Sequence, residues 1–116
     1  MRIEVLKSKI HRATVTGADL EYTGSISIDP TLCEAVGLHE YEKVDVLDVD
    51  NGARLTTYVI LGSPGEICLN GAAARLVQKG DRVIIVAYGQ VEASELGSFR
   101  PRQILVDEKN RIERRL

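Results

Sequence analysis

The chain has 116 residues, enough for one domain that buries roughly two-thirds of its unfolded surface. With no tryptophan and a single phenylalanine, Phe99, its core must be built from Val, Ile and Leu. The net charge of −2 excludes a general attraction to nucleic acid or acidic membranes, and no apolar run approaches the ~20 residues that span a bilayer. The charged start, MRIEVLKSKIHR, lacks the apolar stretch of a signal peptide. Cys33 and Cys68 have no metal-ligand spacing and read as two reduced, buried thiols of a cytoplasmic protein.

From Ile3 to Val15 the chain is rich in β-branched and apolar residues broken by charges, which predicts one or two strands. Lys9 and His11, two apart, share a face there. Thr16-Gly17-Ala18-Asp19 is a turn signal, and a short strand is expected from about Leu20 to Ile28. Gly24 inside that strand marks a bulge, a bend or the close approach of another group. Asp29-Pro30-Thr31 opens a short helix, because Asp29 can cap it and Pro30 has no needed N–H at the first position; Gly37 ends it. Val44 to Val49, then Asn51-Gly52, then Arg54 to Leu61 is a hairpin, with Asn-Gly suited to a type I′ turn. Arg54, Thr56, Tyr58 and Ile60 alternate onto one face, and Thr57 joins them only if the strand bulges.

Ser63-Pro64-Gly65 makes a loop and Glu66 to Leu69 a short strand. Asn70 then starts a second short helix ending near Gly80. Val83 to Ala87 reads as a strand buried on both faces, Val91 to Arg102 as loop and Gln103 to Asp107 as the last strand. The basic end, with Lys109, Arg111, Arg114 and Arg115, reads as a solvated terminus. A short helix followed by Glu42-Lys43-Val44-Asp45-Val46 resembles a short helix followed by Asp81-Arg82-Val83-Ile84-Ile85, 39 residues on. Such a repeat points to a mainly β fold, a small closed barrel with short helices and a pseudo-twofold relation between its halves.

No single residue declares a chemistry. Gly24-Ser25 alone is most simply a turn, Lys9 and Arg54 are solvated charges, Tyr58 a packing residue and Asn70 a helix cap. In combination they say more. Lys9-Ile10-His11-Arg12, Ala18-Asp19-Leu20, Tyr22-Thr23-Gly24-Ser25, Asn51-Gly52, Arg54, Thr57-Tyr58, and Asn70-Gly71-Ala72-Ala73-Ala74 followed by Gly80-Asp81 occur in an order and spacing that resemble the bacterial aspartate 1-decarboxylase family, over roughly residues 1 to 103.

The resemblance implies a single domain over residues 1–116, a six-stranded double-psi β-barrel, assembled as a homotetramer with sites between neighbouring subunits. It also implies self-cleavage between Gly24 and Ser25, giving a small β chain (1–24) and a large α chain (25–116) that begins with a pyruvoyl group made from Ser25. That ketone would form a Schiff base with L-aspartate and release CO₂, leaving β-alanine for pantothenate and coenzyme A synthesis, with neither metal nor pyridoxal phosphate. By the same resemblance Tyr58 is the proton donor, and Arg54 anchors a substrate carboxylate beside Lys9. Thr57 steadies an oxyanion, while Asn70, Gly71, Ala72 and Ala73 offer amides to the substrate. His11 and Tyr22 fall near the site, and a maturation partner is left open. Two rival readings remain at this point: a non-catalytic barrel that binds a macromolecule, and an uncleaved, inactive homologue.

Overall fold

The computed structural model describes all of residues 1–116 and is mostly β. In chain order the elements are β1 (Arg2–Thr14), β2 (Gly17–Asp19), β3 (Ser25–Ile28), α1 (Pro30–Val36), β4 (Lys43–Asp48), β5 (Arg54–Leu61) and β6 (Ile67–Asn70). A 3₁₀ turn (Gly71–Arg75), β7 (Arg82–Glu92), a second 3₁₀ turn (Ala93–Glu95), β8 (Arg102–Val106) and β9 (Ile112–Arg115) follow.

The strands pair in the order β2-β6-β3-β5-β4-β7-β1-β8-β9. Only Val15 and Thr16 separate β1 from β2, so one bent strand stands at both ends of the run from β6 to β7. At the bend, Val15 N–H donates to the Asp81 carbonyl beside β7 and Thr16 N–H to the Ile67 carbonyl of β6. The sheet therefore closes on itself as a six-stranded barrel, and β8 and β9 extend it outward from β1. Two register shifts, with Arg12 at φ 65 inside the second, let β1 turn this corner.

Pairing inside the barrel is reciprocal. The first half contributes β1–β2, β3, α1 and β4; the second contributes β5, β6, the first 3₁₀ turn and β7. β2 runs parallel to β6, and its counterpart β5 runs parallel to β3. The equivalent strands β3 and β6 pair antiparallel, as do β4 and β7. This is the pseudo-twofold relation that the 39-residue repeat predicts, in the interleaved double-psi arrangement.

Period-two burial supplies the core. Ile26 and Ile28, Val44 and Val46, Ile67 and Leu69, and Val83, Ile85 and Ala87 all point into one aliphatic cluster. Helix α1 forms as its caps dictate: Asp29 Oδ1 accepts from Thr31 N–H at 2.8 Å, and Gly37 ends it at φ 75.

Several expectations need correction. Gly17–Asp19 is a strand, where a turn was expected, because it is held by β6. The turn comes later, over Leu20–Gly24, so the strand begins only at Ser25. The second helix is a single 3₁₀ turn, too short to carry a helix dipole. Strand β7 continues through Val91 and Glu92, where a loop was expected. Cys33 is buried, but Cys68 is only partly so.

The basic terminus forms β9. It is tied down by Asn110, whose buried side chain accepts from Thr14 N–H and donates to the Thr14 and Gly65 carbonyls. The β4–β5 connection is also wider than a two-residue type I′ turn: Asp48 N–H donates to the Ala53 carbonyl, and only Gly52 has positive φ.

Asp48 organises that connection. Its Oδ1 accepts from Asp50 N–H at 2.8 Å and Asn51 N–H at 3.1 Å, while its buried Oδ2 has no partner. Its carboxylate lies in a cluster with those of Asp50 and Asp81, oxygens within 4.8 Å of one another. Burial, then the neighbouring Asp81 carboxylate, raise the Asp48 pKa. The folded chain thus holds a proton that the unfolded chain loses earlier. This contribution is full below the unfolded value and is lost as pH rises through the folded one. Asp48→Asn keeps the acceptor for both amides and offers Asp81 an N–H. It should raise stability at neutral pH by about 1 kcal/mol, with the gain shrinking on acidification, in urea unfolding followed against pH. A variant less stable than the parent at neutral pH would refute this account of the turn.

Candidate active site

The antiparallel β3–β6 ladder sets Ser25 opposite Asn70 and Ser27 opposite Cys68. Ile26, Ile28, Ile67 and Leu69 fill the core, so the four polar side chains share the other face. Ser25 is 1% exposed. Its Oγ donates to the Thr23 carbonyl and accepts from Asn70 Nδ2, each at 3.0 Å. Asn70 Nδ2 also donates to Ser27 Oγ at 3.0 Å, and Cys68 Sγ lies 3.4 Å from Asn70 Oδ1. Asn70 occupies the cap position of the 3₁₀ turn but makes no capping hydrogen bond, so the simplest reading of that residue fails.

The turn that Asn70 begins lies hard against the chain before Ser25. Gly71 has φ 64, and a Cβ there would meet Gly24 Cα at 2.6 Å and Gly24 N at 2.8 Å. Only glycine fits, because both the torsion and the backbone contact reject a side chain. This is the close approach that a glycine at position 24 suggests, made by the second half of the barrel.

A cavity of about 400 Å³ opens beside Gly24, bordered by Thr57, Tyr58, Asn70, Ala72 and Ala73. The bulge expected for Thr57 is absent, since β4 and β5 pair without a register shift. Thr57 and Tyr58 nevertheless both border the cavity. β3 pairs β5 only over Val59–Leu61, which leaves the edge of residues 54–58 open on that side. Consecutive residues along an open edge reach the same space. The Tyr58 ring is half-buried and packs against Tyr41, centroids 6.5 Å apart.

The structure does not bring every candidate here. Tyr22 borders a second cavity of about 400 Å³, with Ser27, Glu66, Cys68 and Asn70. Arg54 is exposed at the start of β5, and neither it, Lys9 nor His11 borders either cavity. His11 lies on β1 beside β8, and its buried Nδ1 has no partner. Burial, then the charges of Lys9 and Arg12, lower its pKa and favour the neutral ring. Ser27 and Cys68 went unremarked as site residues. Ser27 shares a face with Ser25 by parity, but Cys68 joins them only through the cross-strand register.

The family model described as aspartate decarboxylase matches residues 1–113. The chain belongs to the aspartate decarboxylase family. An aspartate 1-decarboxylase of Lactiplantibacillus plantarum is 58% identical over all of this chain and 91% of its own length. One from Wolinella succinogenes is 60% identical over 97% of this chain and 94% of its own. One from Hydrogenobaculum sp. is 58% identical over 97% and 90%.

In this family member the Gly71–Gly24 contact is testable against an internal control. Gly52 has a similar φ of 77, yet nothing lies within 4 Å of a Cβ built there. Gly52→Ala should cost only the backbone strain, about 1 kcal/mol. Gly71→Ala adds the collision and should cost at least twice as much in urea unfolding. Equal losses for the two variants would mean the close approach is not tight.

Proposed function

We propose that this chain is a pyruvoyl-dependent aspartate 1-decarboxylase, which converts L-aspartate to β-alanine and CO₂ for pantothenate and coenzyme A synthesis in the cytoplasm. The observation that carries the reading is the family match over residues 1–113, with Ser25 held beside Gly24, which borders a cavity of about 400 Å³.

The residues present fit a pyruvoyl group made in place. Ser25 Oγ adds to the Gly24 carbonyl carbon, the Gly24–Ser25 C–N bond breaks, and an ester and a free amine result. Loss of the Ser25 α-proton expels the Gly24 carboxylate and leaves a dehydroalanyl end. Water then replaces the nitrogen, which departs as ammonia, and the ketone remains. One water is consumed overall. The arrangement supports this chemistry in three ways: Oγ is fixed by two hydrogen bonds, glycine leaves the acceptor carbonyl uncrowded, and Thr57 borders the same cavity, where its hydroxyl can meet an oxyanion.

The group supplies an electron sink for the pair left on the substrate Cα when CO₂ departs. The chain's own residues do the rest. Tyr58 delivers a proton to Cα from its phenolic O–H. Asn70 and the amides of Gly71, Ala72 and Ala73 orient the substrate along the cavity wall. Arg54 binds a carboxylate in planar, two-pronged fashion, with Lys9 adding charge and His11 and Tyr22 at the margin. Arg54, Lys9 and His11 do not border the cavity beside Gly24 within one chain. A homotetramer whose sites combine residues of neighbouring subunits would bring them there from the next chain. Cleavage yields chains 1–24 and 25–116 of one domain.

Tyr58→Phe separates proton delivery from packing. The ring and its contact with Tyr41 survive, so the variant should fold and cleave as the parent does. With L-aspartate as substrate, the parent should form β-alanine and CO₂, and Tyr58→Phe should be slower by about 10²–10⁴-fold. Near-parental turnover by a fully cleaved Tyr58→Phe protein would remove Tyr58 from the mechanism. No β-alanine from the cleaved parent would remove the function.

A further inference from the structure

The four polar side chains on the β3–β6 face form a closed hydrogen-bond problem. The Asn70 amide has two N–H donors and one carbonyl acceptor. In the structure both donors are used, on Ser25 Oγ and Ser27 Oγ, and the carbonyl faces the Cys68 thiol at 3.4 Å. The two serine hydroxyls cannot set this orientation, since each can donate as readily as accept. A flipped amide would take hydrogen bonds from both through Oδ1. It would leave Nδ2 facing only a sulfur, which is a weak acceptor. With the amide as observed, the S–H donates to Oδ1 and every polar group has a partner. Burial raises the pKa of Cys68, and so favours the thiol over the thiolate.

We propose that Cys68 is a positioning residue for the cleavage at Gly24-Ser25: its S–H orients the Asn70 amide so that Nδ2 donates to Ser25 Oγ. This rests on the reading that Ser25 attacks the Gly24 carbonyl. With Nδ2 as its donor, the Ser25 hydroxyl directs its own proton to the Thr23 carbonyl, and Oγ is pinned between two partners. With the amide flipped, the Ser25 proton turns to Asn70 Oδ1 and the donor that pins Oγ is gone. A nucleophile so released spends less time in attack geometry. Cys68 acts only through Asn70, and its effect belongs to maturation.

The test follows the appearance of the 1–24 fragment from freshly made precursor by denaturing mass spectrometry. Parent, Cys68→Ala and Cys68→Ser are compared, with melting temperatures measured alongside. Cys68→Ala should cleave about two- to five-fold more slowly, the effect of losing one weak hydrogen bond, while its melting temperature stays within a few degrees. Cys68→Ser keeps a side chain of similar size but, like Ser25 and Ser27, its hydroxyl can accept from a flipped amide as readily as donate, so it should cleave as slowly as Cys68→Ala. Cleavage of Cys68→Ala at the parental rate overturns the inference. So does a parental rate in Cys68→Ser with slowing only in Cys68→Ala, because that pattern belongs to packing volume. A parent that never cleaves brings down the reading of Ser25 itself, a different result from either.

Discussion

The antiparallel register of β3 with β6 is the constraint on which the rest of the structure hangs. Pairing Ile26 with Leu69 and Ile28 with Ile67 buries four large aliphatic side chains at the pseudo-twofold centre of the barrel. A slip by one residue would turn these four outward and the serines, Cys68 and Asn70 into the core. The core thus locks the register. The same register puts Asn70 across from Ser25 and brings Gly71 against Gly24. Hydrophobic burial, which has no chemistry of its own, fixes the position of the one serine to which the proposed function assigns chemistry.

The two halves of the barrel consequently share the site. Gly24, Ser25 and Ser27 come from the first half; Thr57, Tyr58, Cys68, Asn70 and Gly71 come from the second. The open stretch of the β5 edge forms the cavity wall because β3 is only four residues long and pairs with the far end of β5. Shortening β3 in this way leaves the turn at Leu20–Gly24 free to approach the 3₁₀ turn. The same shortness exposes Gly24 while Ser25 stays buried.

Much of this was legible in the residues. Asp29-Pro30 and Gly37 carry local capping chemistry, and they delimit α1 as read. The alternating aliphatic pairs and the repeat 39 residues apart disclosed both barrel and symmetry, since burial period and repeat length are properties of the sequence itself. What escaped depends on long-range contact. Tyr22 and Thr23 have strand-forming side chains, yet the approach of Gly71 requires a turn there. Asn51-Gly52 signalled the hairpin but not its width, because the Asp48 carboxylate gathers two loop amides. β9 sits in a run of charges and is held by Asn110 from outside the strand. The network of Ser27, Cys68 and Asn70 is invisible until the register is known, whereas Gly24, Ser25 and Tyr58 emerge from the family's pattern.

The central claim is that this chain makes its own reactive group at Gly24-Ser25, and a denaturing mass measurement on the purified protein tests it most directly. The account predicts two species: residues 1–24, and residues 25–116 lighter by one ammonia than the same peptide beginning with serine. An intact chain that still converts aspartate to β-alanine would contradict it. So would a large fragment that retains serine at its N-terminus, since that is the product of ordinary proteolysis.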